Sequence, residues 1–180
     1  MTPTRDNPQR SIALIGLRGS GKTTVGEELA KLLSGTHADT DDMIVAVAGQ
    51  SIAEIFCDRG EPAFRELERQ TITQLVRNPP RVISVGGGAV LDSANVAALR
   101  AVARVVWLTA PPGVLWKRIQ NDPRTAANRP ALTNCGGRAG MAKLLMEREP
   151  LYRAAADAII DTADKTPEAV AREIVQLFRT

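Results

Sequence analysis

The sequence predicts an α/β protein: a three-layer fold with a central parallel sheet of about five strands flanked by helices. Two observations carry that expectation. Short β-branched apolar runs recur along the 180 residues, each closed by a turn signal, as fully buried strands should be. Stretches of helical period separate them, so the connections are right-handed β-α-β units that cover both faces of the sheet.

The elements follow in order. Residues 11–16 (SIALIG), 81–85 (RVISV) and 104–109 (RVVWLT) are the clearest strands; 158–161 is a weaker one, and a very short one precedes Asp39. Helical patterns cover 22–33, 51–77, 93–101, 112–119, 140–147 and 167–178. The last opens on Thr166-Pro167, a capping residue followed by proline at the first helical position. Two segments resist the alternation. Gly86-Gly87-Gly88 ends a strand at its carboxyl end, where parallel sheets hold ligands. Residues 121–138, rich in Pro, Arg, Asn and Gly, read as a long mobile lid. Residues 1–10 are polar, contain Pro3 and Pro8, and read as a flexible N-terminal extension of one domain spanning 1–180.

Composition excludes several function classes. An apolar fraction of 44% with 24% charged residues suits a soluble globular domain. Aromatic residues are only 3%, too few for platforms on which single-stranded bases stack. The net charge of +3 comes without a basic block, which suits a small anionic ligand rather than nucleic acid. Cys57 and Cys135 lack metal-site spacing and read as reduced thiols. With no signal-peptide pattern and no membrane-spanning run, the expectation is a cytoplasmic protein, monomeric by default.

Gly16-Leu17-Arg18-Gly19-Ser20-Gly21-Lys22-Thr23 satisfies G-x-x-x-x-G-K-[ST], with a strand before it and a helix after it. This is a P-loop, and it places the chain among P-loop NTPase-like folds. Gly19, Ser20, Gly21 and the helix start at Lys22, Thr23 and Thr24 would turn backbone N–H groups toward the phosphates of ATP. Lys22 would reach the β- and γ-phosphates, and Thr23 would ligate Mg²⁺. Asp39-Thr40-Asp41 follows 16 to 18 residues beyond Lys22. Two carboxylates two apart on an extended segment point the same way, one toward Mg²⁺ and one toward an acceptor hydroxyl. Alternatively, Asp41 or Asp42 merely caps a helix starting at Met43. Spacing alone leaves both readings open.

The ordered set DTDDMI, GQSIAEIF, GEPAFRELE, GGGAV, NRP and EPLYR resembles shikimate kinase over nearly the whole chain after residue 10. The resemblance implies transfer of the γ-phosphate of ATP to the 3-hydroxyl of shikimate, giving shikimate 3-phosphate and ADP in aromatic amino acid (chorismate) biosynthesis. It implies Asp39 beside Thr23 at Mg²⁺, and Asp41 as holder of the shikimate hydroxyls and base. Arg65 would grip the shikimate carboxylate, oriented by Glu68, with Arg153 as the second carboxylate-binding arginine. Gly86, Gly87 and Gly88 would form the wall behind shikimate. Arg129 would reach the transferred phosphate from the lid, and Arg118, Pro167 and Lys165 would pack the adenine. The chemistry agrees: planar guanidinium groups pair bidentately with a carboxylate, and phosphoryl transfer needs alignment and charge neutralisation.

The chain departs from the family pattern in three places. Val45 stands where Glu is usual, NDPRTAA lengthens the lid before NRP, and His37-Ala38 makes the second strand polar. His37 reads as a surface residue. Competing readings are a gluconate kinase-like P-loop enzyme, which does not predict the DTD, GGG and paired-arginine set, and a non-catalytic nucleotide-binding regulatory module.

Overall fold

A computed structural model describes residues 10–122 and 137–178. The chain runs through β1 (Ser11–Ile15), α1 (Lys22–Leu32), β2 (His37–Asp39), α2 (Thr40–Ala48) and α3 (Ile52–Leu75). It continues with β3 (Val82–Ser84), one 3₁₀ turn (Ala89–Leu91), α4 (Ser93–Val102) and β4 (Ala103–Thr109). The remainder is α5 (Pro112–Asn121), α6 (Gly137–Ala155), β5 (Ala158–Asp161) and α7 (Pro167–Phe178). The five strands form one parallel sheet in the order β2-β3-β1-β4-β5.

Strand alternation divides the core. Ile12 and Leu14 of β1 face Val25 and Leu29 of α1 and Val170 and Ile174 of α7. Ala13 and Ile15 face the other layer, where Ile72 of α3, Leu99 of α4, Leu115 of α5 and Leu144 of α6 pack against Trp107 and Tyr152. Successive side chains of a strand point to opposite faces, so an apolar run without alternation must be covered on both sides. A smaller cluster of Ile44, Ile52, Ile55 and Phe64 joins α2 to α3, and Val45 packs against it.

The differences from the expected elements have local causes. β1 stops at Ile15 because Gly16 turns at φ 141°. α2 begins at Thr40 rather than Met43, since Asp39 caps it. α3 opens with a reciprocal capping box between Ser51 and Glu54, but it is broken inside by Gly60 at φ 76°, ψ 171°. The pattern between 51 and 77 shows one continuous helix and hides that break. α6 extends well beyond the expected 140–147 and contains Pro150. Arg10 belongs to the fold rather than to an extension: its Nη2 donates to the Ala103 carbonyl at 3.2 Å, and Arg81 donates to its carbonyl at 2.9 Å. Residues 1–9 and most of the expected lid, 123–136, lie outside the described residues.

The strand order fixes the site. From β1 the chain crosses to β2 on one side, and from β3 it crosses to β4 on the other. The loops leaving β1 and β3 therefore part at a topological switch point. The two loops touch: a Cβ on Gly87 would sit 3.3 Å from the Gly16 carbonyl oxygen. Gly16 itself tolerates no side chain, because a Cβ there would meet the Leu108 carbonyl oxygen at 2.2 Å. Gly16→Ala should cost roughly 2 kcal/mol or more in unfolding free energy, read by urea denaturation.

Candidate active site

The loop from Gly16 to Thr23 is shaped by glycines in the left-handed region, Gly19 at φ 82° and Gly21 at φ 89°. A Cβ on Gly19 would lie 2.6 Å from the Leu115 carbonyl oxygen, so the loop is also pressed against α5. Lys22 folds its ammonium back over the loop, donating to the carbonyls of Gly16 at 2.8 Å and Leu17 at 3.0 Å. The N-terminus of α1 adds its partial positive charge at the same place.

Beside this cradle, Asp39 serves two elements at once. Its Oδ1 accepts the Asp41 N–H at 3.0 Å, capping α2, and its Oδ2 accepts the Thr23 hydroxyl at 2.7 Å. Asp39 and Asp41 do not share an extended segment as the spacing suggested; α2 begins between them. Both carboxylates nonetheless line one cavity of about 230 Å³ with Lys22 and Thr23. The hydroxyl–carboxylate pair of Thr23 and Asp39 suits Mg²⁺, a hard cation held by few protein oxygens together with phosphate and water. Among the described residues no group of three or more His, Cys, Asp or Glu could hold a metal by itself.

The second half of the site is built on β3 and α3. A Cβ on Gly86 would lie 2.8 Å from Asp41 Oδ1 and 2.7 Å from Glu68 Oε1, so glycine lets the two carboxylates flank the strand end. A Cβ on Gly88 would lie 2.4 Å from Arg65 Nη1, so the guanidinium rests on the glycine backbone. Arg65 donates from Nη1 to Glu68 Oε2 at 2.8 Å and from Nη2 to Glu61 Oε1 at 2.8 Å. The Glu68 side chain is 1% exposed, and its Oε1 has no hydrogen-bond partner among the described residues.

Burial pushes the Glu68 carboxyl up to about 7; Arg65 opposes the rise, and the nearby Asp41 charge adds to it. A carboxyl whose folded pKa is raised binds more protons folded than unfolded. Its contribution is present below about 4.5 and is lost as pH rises through about 7. Relative to Glu68→Gln, the wild-type protein should therefore lose stability across that window. Parallel melting curves of the two proteins at pH 5 and pH 8 check the sign.

The family model described as shikimate kinase matches residues 18–179. The chain belongs to the shikimate kinase family. A shikimate kinase of Rhodopirellula baltica is 40% identical over 91% of this chain and 87% of its own length. The structure of the shikimate kinase from Acinetobacter baumannii in complex with shikimate superposes with a TM-score of 0.87 at 34% identity, covering 93% of this chain and 92% of that one. A gluconokinase from Sinorhizobium meliloti 1021 reaches a TM-score of 0.50 at 16% identity, a likeness of fold alone.

In this shikimate kinase family member, the residues expected around adenine line a common cavity. Arg118, Lys165 and Pro167 line one cavity of about 270 Å³ with Ser20, Gly21 and Thr24. Arg118 is held there by donating to the Thr162 hydroxyl at 2.9 Å and the Ala163 carbonyl at 3.2 Å. Lys165 pairs with Glu173 at 2.6 Å. Arg129 and Arg124 lie outside the described residues.

Two readings need correction. Arg153 is not at the glycine wall: it is 60% exposed, pairs with Glu149 at 2.7 Å and lies over the Trp107 ring. Arg148 takes that place, donating to the Gly87 carbonyl at 3.0 Å, and its charge reaches Glu68. The signal was the helical period. Tyr152 also donates to the Gly87 carbonyl, and Arg148 stands one turn before Tyr152 on the same face of α6, whereas Arg153 is turned about 100° away. His37, read as a surface residue, is half-buried: its Nε2 lies 2.8 Å from Ser84 Oγ, and burial lowers its pKa. A Cβ on Gly26 would approach that ring to 2.5 Å, so His37 packs α1 against the sheet.

Proposed function

We propose that the protein transfers the γ-phosphate of ATP to the 3-hydroxyl of shikimate, giving shikimate 3-phosphate and ADP. One observation carries the reading. The cradle after β1 adjoins a glycine wall after β3 that carries Asp41 on one side and two arginines with a buried glutamate on the other. That is a phosphate donor site beside a site for a small hydroxylated acid.

The roles follow from position. Gly19, Ser20, Gly21, Thr23 and Thr24 present the cradle, and Lys22 neutralises charge on the transferring phosphate. Thr23 and Asp39 would hold Mg²⁺, which supplies charge neutralisation across the phosphates. Asp41 orients the acceptor hydroxyl and takes its proton. Arg65, with Arg148 in place of Arg153, clamps the carboxylate, while Gly86, Gly87 and Gly88 let the substrate lie against backbone. Arg118, Pro167 and Lys165 pack the adenine.

A gluconate kinase-like activity is disfavoured because it does not predict the DTD, GGG and paired-arginine set. A regulatory module without catalysis is disfavoured by the intact Lys22, Thr23, Asp39 and Asp41 set. No helix among the described residues is long and apolar enough to cross a membrane. A monomer working in the cytoplasm completes the proposal. A coupled ADP-release assay tests it: turnover should require both shikimate and Mg²⁺. Equal turnover with gluconate, or none with millimolar shikimate, would sink it.

A further inference from the structure

We infer that Glu61 sets the affinity and selectivity of the acceptor site, by holding the edge of Arg65 that a substrate carboxylate must take. The inference rests on the reading of that site as one for shikimate.

Arg65 is engaged by two carboxylates of its own helix. Glu61, one turn before it, receives Nε at 3.1 Å and Nη2 at 2.8 Å on a single oxygen. Glu68, one turn after it, receives Nη1 at 2.8 Å. The guanidinium also rests on Gly88, where a Cβ would come within 2.4 to 2.7 Å of Nη1, Nη2 and Cζ. Being nearer to both Nη atoms than to Cζ, the Gly88 position crowds the Nη1–Nη2 end, so a carboxylate has to approach along another edge. The favourable approach is bidentate, to two parallel N–H groups on one edge. Since Nη1 is given to Glu68, the edge with two donors that Glu68 does not use is Nε–Nη2, and Glu61 bridges it.

The two glutamates are not equivalent. Glu68 is 1% exposed, so removing its pairing strands a buried group, and it stays. Glu61 is 57% exposed, and an ion pair in that setting is weak and exchangeable. Gly60 immediately before it breaks the helix at φ 76°, and a Cβ on Gly60 would meet only Pro62 Cδ, at 3.6 Å. The charges facing this point are Arg65 and Arg148 on one side and Asp41, Glu68 and Glu61 on the other. A carboxylate that arrives while Glu61 stays adds a further negative charge around one guanidinium, and it relieves that crowding by displacing Glu61. A neutral ligand cannot replace the ion pair, so it leaves Glu61 on Arg65 and takes nothing from that edge. Glu61 thus lowers affinity for the acid and leaves that for a neutral ligand unaltered, which sets the margin between them.

Calorimetric titration tests this with two probes, shikimate and its uncharged methyl ester, on the full-length wild-type protein and on Glu61→Gln. The variant should bind shikimate roughly two- to fivefold more tightly, the weight of an exposed ion pair, with methyl ester affinity unchanged. Glu61→Ala should move in the same direction. Shikimate affinity that is unchanged or weaker in both variants overturns the inference, because Glu61 would then only position Arg65. A shift of equal size for both probes also overturns it, since a general change in site shape would explain it. Wild-type protein that binds no shikimate overturns the site reading and this inference together.

Discussion

Lys22→Ala should lower kcat by about 10² to 10³, and Asp41→Asn by about 10² to 10⁴, with much smaller changes in KM for shikimate. The Lys22 ammonium is already folded over the P-loop, 2.8 and 3.0 Å from the Gly16 and Leu17 carbonyls, so it needs little reorganisation to meet a phosphate. What it stabilises is charge that develops on the transferring group, and such interactions appear in kcat. Asp41 is buried, lines the same cavity and flanks the Gly86 backbone, where an acceptor hydroxyl would meet it. Asparagine keeps its shape and one acceptor oxygen but loses the charge and cannot take a proton. Steady-state kinetics with varied shikimate at saturating ATP measure both. An Asp41→Asn enzyme with near-normal kcat would reduce Asp41 to a positioning group.

Arg148→Ala should raise KM for shikimate by roughly tenfold to a hundredfold, while Arg153→Ala should change it by less than about twofold. Arg148 reaches the glycine wall and shares the electrostatic environment of Glu68 with Arg65, so it can meet a carboxylate where Arg65 does. Arg153 is largely solvated on another face of α6. Lysine at 148 should not restore affinity fully, because a point charge lacks the planar fork. Since Arg148 also donates to the Gly87 carbonyl, melting temperatures of the variants must accompany the kinetics. If Arg153→Ala carries the larger KM effect, the placement of the second clamp on Arg148 fails.

The P-loop was legible because its chemistry is contiguous: backbone N–H groups, a lysine and a threonine within eight residues, with glycines where positive φ is required. The Arg65–Glu68 pair was legible because residues three apart on a helix are neighbours wherever the helix goes. Arg148 was not read, because it stands just before EPLYR, with Arg153 just after the same tyrosine, and only the rotation of α6 decides which arginine faces Gly87. Asp39 as the cap of α2 was not read; a cap by Asp41 or Asp42 stood only as an open alternative, since a helix start cannot be placed within three residues by composition when Thr-Asp-Asp is good in either phase.

By itself, then, the sequence determined the parallel α/β class and the family, and it brought into view the P-loop and most of the residues proposed for the acceptor site, all of which rest on local period or contiguous motif. Tertiary structure decided the strand order that brings Gly87 against Gly16, the burial that lifts Glu68 to about 7, the rotation that selects Arg148, and the closure of Arg65 between two glutamates. The reason is physical: a pKa, a cavity or a choice between neighbouring side chains depends on what approaches from distant parts of the chain. Those distances are set by packing a sheet between two helical layers, not by spacing along the sequence.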